Sequence, residues 1–518
     1  VAKRRIKAVS HSIFYTTLLI LTNLVSKIMS STESDFIDVA MEVEASETEK
    51  VALPALSLKI APCRDVVGID NGTYRKTQVC ATVTARTLPD DNEEERAPVD
   101  ITVALDISGS MSGSKLELCK ATLELLLREL RSCDRFGLIT FSDDARLDIP
   151  TRKLTAEGKQ AALDKIKRLR TRGCTNISGG IGMAIQDIKS VESPNEVRSV
   201  LLLTDGLANR GISDSQGIVD LTKGCLQQIE GNAPIVIHTF GYGSDHNAKL
   251  LRDITQSIQG GSYYFVEKDS EVASAFGDAL GGILSVVAQN ATVTIKIPPE
   301  AALLGVDIID VHHEHKSKQP DGSYKVNLGD FYAEESRDVL FEVTLASGSK
   351  GNEPFPHAQC SISYLDTIQK CLVDGDTATA SIARPSGSEI SASNLHIAVQ
   401  WLRIRATMAM KEADILSRDG NLELARSKIR ECLEEIRTET TEGAQSDPLI
   451  IQLIGDLNDS LAGLSSRSVY AESGEMFMQN KWMSHAAQRC AESTFTTGNT
   501  YRGSRKMAKA KKFWASTN

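Results

Sequence analysis

Val99-Asp100-Ile101-Thr102-Val103-Ala104-Leu105-Asp106-Ile107-Ser108-Gly109-Ser110-Met111 reads as an apolar strand that runs into a turn carrying three oxygen-bearing side chains, Asp106, Ser108 and Ser110. Near-continuous aliphatic runs of this kind belong to strands covered on both faces, as in a parallel sheet. The carboxyl ends of such strands are where open α/β sheets gather ligand-binding groups. Gly109 permits the tight turn, and from Lys115 onward a helical pattern begins whose amino end favours nearby negative charge.

Working outward from this stretch, four more strand-like runs follow: Arg135 to Ser142, Arg198 to Thr204, Ile235 to Gly243 and Tyr263 to Val266. Amphipathic helices are expected between and after them, at Leu116 to Leu130, Ala156 to Leu169, Gly179 to Lys189, Ser215 to Ile229, Lys249 to Thr255 and Glu271 to Val287. This alternation predicts a Rossmann-like α/β domain, a parallel sheet with helices on both faces, over residues 98–289. On either side the pattern becomes antiparallel β: Ala55 to Ala61 and Gln78 to Thr87 before it, and Ala291 to Ile297, Tyr324 to Leu328, Val339 to Leu345, Gln359 to Tyr364 and Ala378 to Ala383 after it. Two strands alone make no stable sheet, so residues 55–97 and 290–385 are read as the two parts of one β-sandwich into which the α/β domain is inserted.

Beyond the linker Arg384 to Ser393 the period changes to that of helices. Ala398, Leu402, Ala406, Ala409, Ala413 and Leu416 form one stripe, Leu422, Ala425, Ile429, Leu433 and Ile436 a second, and Leu449, Leu453, Leu457 and Leu461 a third. An α-helical bundle is expected over 392–495, with the turn Asp419-Gly420-Asn421 between its first two helices and a basic, solvated tail at 496–518.

The chain has 518 residues with 41% hydrophobic content, more than one core normally supports. Its formal charge of -10 disfavours broad attachment to nucleic acid or to anionic lipid. Ten scattered cysteines with no Cys-x-x-Cys pair offer neither a zinc knuckle nor a redox motif; they are expected to be free thiols in a reducing, cytoplasmic setting. Within residues 1–54, Lys3-Arg4-Arg5 ahead of the apolar run Ile13 to Val25 has the charge and length of a secretory signal, which would make the protein secreted or membrane-anchored; a start displaced to Met29 is the alternative. The acidic segment Ser30 to Lys50 is poor in large apolar residues and is read as a disordered head.

Two further stretches share the α/β block with the Asp106 turn: Gly173-Cys174-Thr175-Asn176-Ile177, and Ser199-Val200-Leu201-Leu202-Leu203-Thr204-Asp205-Gly206. Together and in this order the three stretches resemble the metal-ion-dependent adhesion site of the von Willebrand factor type A (VWA) family over Val99 to Gln289. The resemblance implies that Ser108, Ser110 and Thr175 ligate a metal through their hydroxyls, with Asp106 and Asp205 acting directly or through water. It further implies an open coordination position that accepts an Asp or Glu from a partner protein. A set of hydroxyls and carboxylates without His or Cys selects hard cations, Mg²⁺ first, with Ca²⁺ or Mn²⁺ as alternatives. Cys174 departs from the small residue usual at its position. The helical region, with its late segment Ser484-His485 to Gln488-Arg489, resembles the helical domain that follows and interacts with VWA domains in certain proteins, implying an intramolecular contact between the two.

The expected function is therefore Mg²⁺-dependent, non-enzymatic protein binding of the adhesion or scaffold type. The alternative is a component of an enzyme complex, a hydrolase or a ubiquitin-ligase-like adaptor, in which this domain recruits substrate; no Cys/His spacing supports a RING of the chain's own. His312-His313-Glu314-His315 lacks the spacing of a metal-binding helix and is read as a solvated hairpin tip.

Overall fold

The computed structural model describes residues 54–489 apart from 73–74, 89–95, 228–233, 244–245, 257–260, 267–268, 349 and 440–444. The signal-like segment, the acidic head, the basic tail and Cys490 lie outside the described residues.

The chain enters through two antiparallel strands, β1 (Leu56–Pro62) and β2 (Lys76–Ala85), paired from Leu56↔Ala85 to Pro62↔Val79. It then builds the α/β domain: β3 (Val99–Asp106), α1 (Ser114–Glu129), β4 (Arg135–Phe141), β5 (Ala145–Lys153), α2 (Ala156–Lys167), α3 (Ile177–Lys189), β6 (Val197–Thr204), α4 (Ser215–Gln227), β7 (Ile235–Tyr242), α5 (Ala248–Gln256), β8 (Tyr263–Val266) and α6 (Asp269–Ile283). The six strands lie in the order β5-β4-β3-β6-β7-β8, all parallel except β5. Every residue of β3, β6 and β7 is buried, because helices cover both faces. One apolar core gathers Leu123 and Leu127 of α1, Ile166 of α2 and Phe276 of α6. The other gathers Ile181 and Ile185 of α3, Ile218 of α4 and Leu251 of α5.

The antiparallel edge strand β5 was not expected from the sequence. Only Ile149 and Thr151 of its nine residues are buried, so it lacks the aliphatic run that marks its neighbours. A second difference falls at the domain exit: the sequence reads helix to Val287, whereas α6 ends at Ile283 and β9 (Val286–Lys296) begins with the β-branched pair Val286-Val287.

The remaining strands are β10 (Ile308–Val311), β11 (Lys316–Lys318), β12 (Tyr324–Tyr332), β13 (Ser336–Thr344), β14 (Gly351–Asp366) and β15 (Cys371–Arg384). One sheet has the order β1-β2-β13-β10 and the other β11-β12-β9-β14-β15, so the strands before the α/β domain share a sheet with strands after it. Val79, Ala81 and Val83 meet Val293, Ile295, Phe341 and Ile362 in the core of this sandwich.

The bundle consists chiefly of α7 (Leu395–Arg418), α8 (Leu422–Glu439), α9 (Pro448–Gly463) and α10 (Glu475–Ala487). The expected stripes form its core, with Ala406, Ala413, Ile429, Leu433, Leu453 and Leu457 among its buried residues. The bundle docks on the sandwich: Ile397 and Ile404 of α7 pack on Cys63, Cys80 and Leu340. Arg489 donates to Glu335 Oε1 at 2.8 Å and to the Asp330 carbonyl at 2.5 Å, and its guanidinium stacks 4.1 Å from the Tyr332 ring. Toward the α/β domain, Arg252 of α5 is buried in the field of Glu475 and Asp414. The segment His312 to His315 is solvated only in part: Glu314 and His315 are exposed at a turn, whereas His312 and His313 are half-buried. His312 packs edge-on to Trp401 with ring centroids 4.9 Å apart, and Glu314 pairs with Lys411 at 2.5 Å, because α7 covers this end of the sandwich.

Among the described residues no helix is long and apolar enough to cross a membrane. The nine described cysteines are all free.

Candidate functional site

The chain passes from β3 to β4 on one side and returns to β6 on the other, so the carboxyl ends of β3 and β6 diverge into the crevice expected at such a reversal. Asp106 ends β3 and Asp205 follows β6, both with no exposed surface. Asp106 is held in place by the turn after it: Ser108 N donates to its Oδ1 at 2.8 Å and Thr204 Oγ1 donates to its Oδ2 at 2.6 Å. Gly206 N in turn donates to Thr204 Oγ1 at 2.9 Å, so the ends of the two strands are tied by side chains as well as by the sheet.

Three loops are laced together here. Gly109 N donates to the Gly173 carbonyl at 3.1 Å and Arg172 N to the Ile107 carbonyl at 2.7 Å, which joins the serine turn to the threonine loop. Asn209 N and Arg210 N donate to the Thr175 carbonyl at 3.1 and 3.2 Å, and Thr175 N donates to Asn209 Oδ1 at 2.7 Å, which joins the threonine loop to the segment after Asp205. Gly173 has a φ of +64°, and a Cβ there would lie 2.0 Å from Asp143 Oδ2; only glycine allows the loop to turn so close to that carboxylate. The fold therefore brings together, at the carboxyl ends of β3 and β6, the three loops that carry all five sequence-predicted residues. Ser108 and Thr175 are buried, Ser110 is exposed at the mouth, and the Ser108 and Ser110 hydroxyls are 3.1 Å apart.

Two buried carboxylates concentrate negative charge here. Burial pushes the Asp106 carboxyl up to about 6 against the pull of its hydrogen bonds from Thr204 and Ser108, and the charge of Asp205 pushes in the same direction as burial. Among the described residues Asp205 Oδ1 is buried without a hydrogen-bond partner, while Oδ2 faces Lys115 Nζ at 3.4 Å. A buried carboxylate oxygen with no donor is costly unless a cation completes it. The donor set of carboxylates and hydroxyls fits a hard divalent ion.

Sequence reasoning missed Lys115, Asp143, Thr204 and Asn209. Lys115 had a signal, being the first cation of the helix after the turn, but its pairing with Asp205 spans ninety residues of chain. Around the mouth, Leu207 and Ile212 are 46% and 40% exposed, beside exposed Arg172 and Arg210.

Comparison with known proteins agrees with this fold. Residues 100–278 match the family profile of the von Willebrand factor type A domain, and this part of the chain is a VWA domain. The chain is 28% identical to E3 ubiquitin-protein ligase WAV3 of Arabidopsis thaliana over 49% of its own length and 32% of that protein. It is 27% identical to the uncharacterized protein YfbK of Escherichia coli over 51% of its own length and 45% of that protein. The matched part thus spans less than half the length of either curated relative. Among solved structures, the von Willebrand factor type A protein from Catenulispora acidiphila superposes with a TM-score of 0.55 at 16% identity, over 79% of this chain and 89% of that one. At that identity the likeness is one of fold, and it reaches well beyond the VWA domain.

Proposed function

We propose that the protein is a non-catalytic, Mg²⁺-dependent protein-binding module. Asp106, Ser108, Ser110, Thr175 and Asp205 would hold the cation, directly or through water. The observation that carries this reading is the buried, partnerless Oδ1 of Asp205, in the same crevice as a second buried carboxylate and three hydroxyls. The cation would supply a positive centre to which a partner's carboxylate can add, since the three hydroxyls among its ligands are neutral. The chain's own residues do the rest. Thr204 and Ser108 orient Asp106, Asn209 fixes the threonine loop, and Leu207, Ile212, Arg172 and Arg210 form a rim suited to a partner that sets apolar side chains beside its acidic one.

The test is calorimetric Mg²⁺ titration beside partner capture, for the wild type and Asp106→Ala. The variant should stay folded, lose Mg²⁺ affinity, and lose the partners that a chelator also removes. Capture of every partner by the variant with chelator present would overturn the reading. A second reading, favoured by the likeness to WAV3, is that the same surface recruits a substrate to an enzyme complex; it predicts a ubiquitin-transfer component among the captured proteins.

A further inference from the structure

We propose that Cys80, Asp338 and His396 form a second metal centre, suited to Zn²⁺, that fastens the helical bundle to the β-sandwich. Cys80 lies on β2 and Asp338 on the adjacent β13, where Asp338 stands opposite Thr82, two residues along from Cys80 and on the same face of the sheet. His396 comes from the first turn of α7, which the Asn394 side chain caps by accepting from Ile397 N. The sequence separates these residues by as many as 316 positions, the distance from Cys80 to His396, and only the docking of α7 on the sheet unites them.

The three ligand atoms lie within 4.8 Å of one another. Asp338 Oδ1 is 3.3 Å from Cys80 Sγ and 3.0 Å from His396 Nε2. In a tetrahedral zinc site, with Zn–S of about 2.3 Å and Zn–N or Zn–O of about 2.0 Å, sulfur and oxygen stand about 3.5 Å apart, and nitrogen and oxygen about 3.3 Å. These two separations are within a few tenths of an ångström of the zinc values, and Cys80 Sγ and His396 Nε2 stand within 4.8 Å of each other on either side of the shared oxygen. The supporting contacts are in place: Thr82 Oγ1 donates to Asp338 Oδ1 at 2.5 Å, and Gln488 brackets the Asp338 backbone, accepting from its N–H and donating to its C=O at 2.9 Å each. Cys80 and Asp338 are buried, but the His396 side chain is 53% exposed, which gives an ion a route in and leaves a fourth position for water.

The chemistry of the set is opposite to that of the crevice at Asp106. A thiolate, an imidazole and one carboxylate select Zn²⁺ over Mg²⁺. On binding, the Cys80 thiol releases its proton to solvent and His396 offers a neutral Nε2. The ion's two positive charges are then balanced by one thiolate and one carboxylate, so the buried centre is neutral. The nearby Arg403 guanidinium is engaged elsewhere, with Gln400 Oε1 at 2.6 Å and the His485 carbonyl at 2.7 Å. Without an ion, burial holds the Cys80 thiol protonated, and Asp338 Oδ1 serves as the hub of a hydrogen-bonded cluster.

Cobalt titration of the chelator-stripped full chain in excess Mg²⁺ separates a metal centre from that hydrogen-bonded cluster. The expected result is one equivalent of tetrahedral Co²⁺ with a thiolate charge-transfer band, displaced by Zn²⁺ and unchanged in Asp106→Ala, whose defect belongs to the Mg²⁺ site. Cys80→Ser should abolish the band. His396→Gln, at a half-exposed position that leaves the fold intact, should weaken binding by about 100-fold, and Thr82→Val by about 10-fold. Zn²⁺ should raise the wild type's melting temperature and not that of His396→Gln. Absence of a thiolate band at stoichiometric Co²⁺ in the wild type would overturn the proposal, as would a band and affinity unchanged in His396→Gln.

Discussion

Replacing Lys115 by Met should lower the stability of the metal-free protein and raise its affinity for Mg²⁺, two effects of opposite sign from one side chain. Lys115 Nζ stands 3.4 Å from Oδ2 of Asp205, whose side chain is fully buried, while the lysine is 26% exposed. Unit charges at that separation attract by about 5 kcal/mol at an effective dielectric constant of about 20. Desolvation of the aspartate and solvent screening of the lysine reduce the net value to about 1–2 kcal/mol. Removing the ammonium leaves a buried carboxylate with one oxygen already partnerless and the other without its cation, so the metal-free fold should lose about 2 kcal/mol. Mg²⁺ binding must weaken or share this ion pair, and the substitution removes that cost; the affinity should rise about tenfold, equivalent to about 1.4 kcal/mol. Urea unfolding with and without saturating Mg²⁺, beside calorimetric titration, measures both effects. An unchanged or weaker Mg²⁺ affinity, or a metal-free stability within about 0.5 kcal/mol of the wild type, would show that Lys115 is not the internal counter-ion of Asp205.

Four other outcomes are expected. Gly173→Ala should cost about 2 kcal/mol and weaken Mg²⁺ binding, because its φ of +64° strains a side chain and its Cβ would displace Asp143, which holds Cys174 N at 3.2 Å; equal stability by urea unfolding would refute this. Burial pushes the Glu335 carboxyl up, but Arg337 and Arg489 overcome it and hold the group near about 2, so this contribution is complete above pH 4.5 and is lost as pH falls through 4.5 toward 2. Arg489→Met should cost about 3 kcal/mol and loosen the bundle from the sandwich, read as faster proteolysis of the bundle at neutral pH; unchanged proteolysis would remove Arg489 from the docking. Alkylation without reductant should modify the exposed Cys174 and Cys371 first and the buried Cys119, whose thiol burial pushes up to about 12, only after unfolding; early modification of Cys119 would contradict the packing around it.

The sequence by itself determined the elements whose reason for existing is local. A strand buried on both faces must be aliphatic along its length, so β3, β6 and β7 were legible, and the turns after β3 and β6 announced themselves by clustered oxygen side chains. The helical stripes of the bundle were legible because each helix needs a continuous apolar face to be stable in water. For the candidate site, this placed Asp106, Ser108, Ser110, Thr175 and Asp205 on three loops and left their meeting to be inferred.

The tertiary structure decided whatever depends on one surface covering another. The edge strand β5 is mostly exposed, so its sequence carries no core pattern and only pairing with β4 defines it. His312 read as solvated with its exposed neighbours Glu314 and His315 because nothing in its own composition shows that Trp401 of α7 will lie against it. Lys115 with Asp205, Arg489 with Glu335, and Cys80 with Asp338 and His396 are ordinary residues at unremarkable spacings in the chain. Their chemistry comes from burial at a shared seam, where low solvent access strengthens charge and hydrogen bonding, and that burial is a property of how separate elements dock.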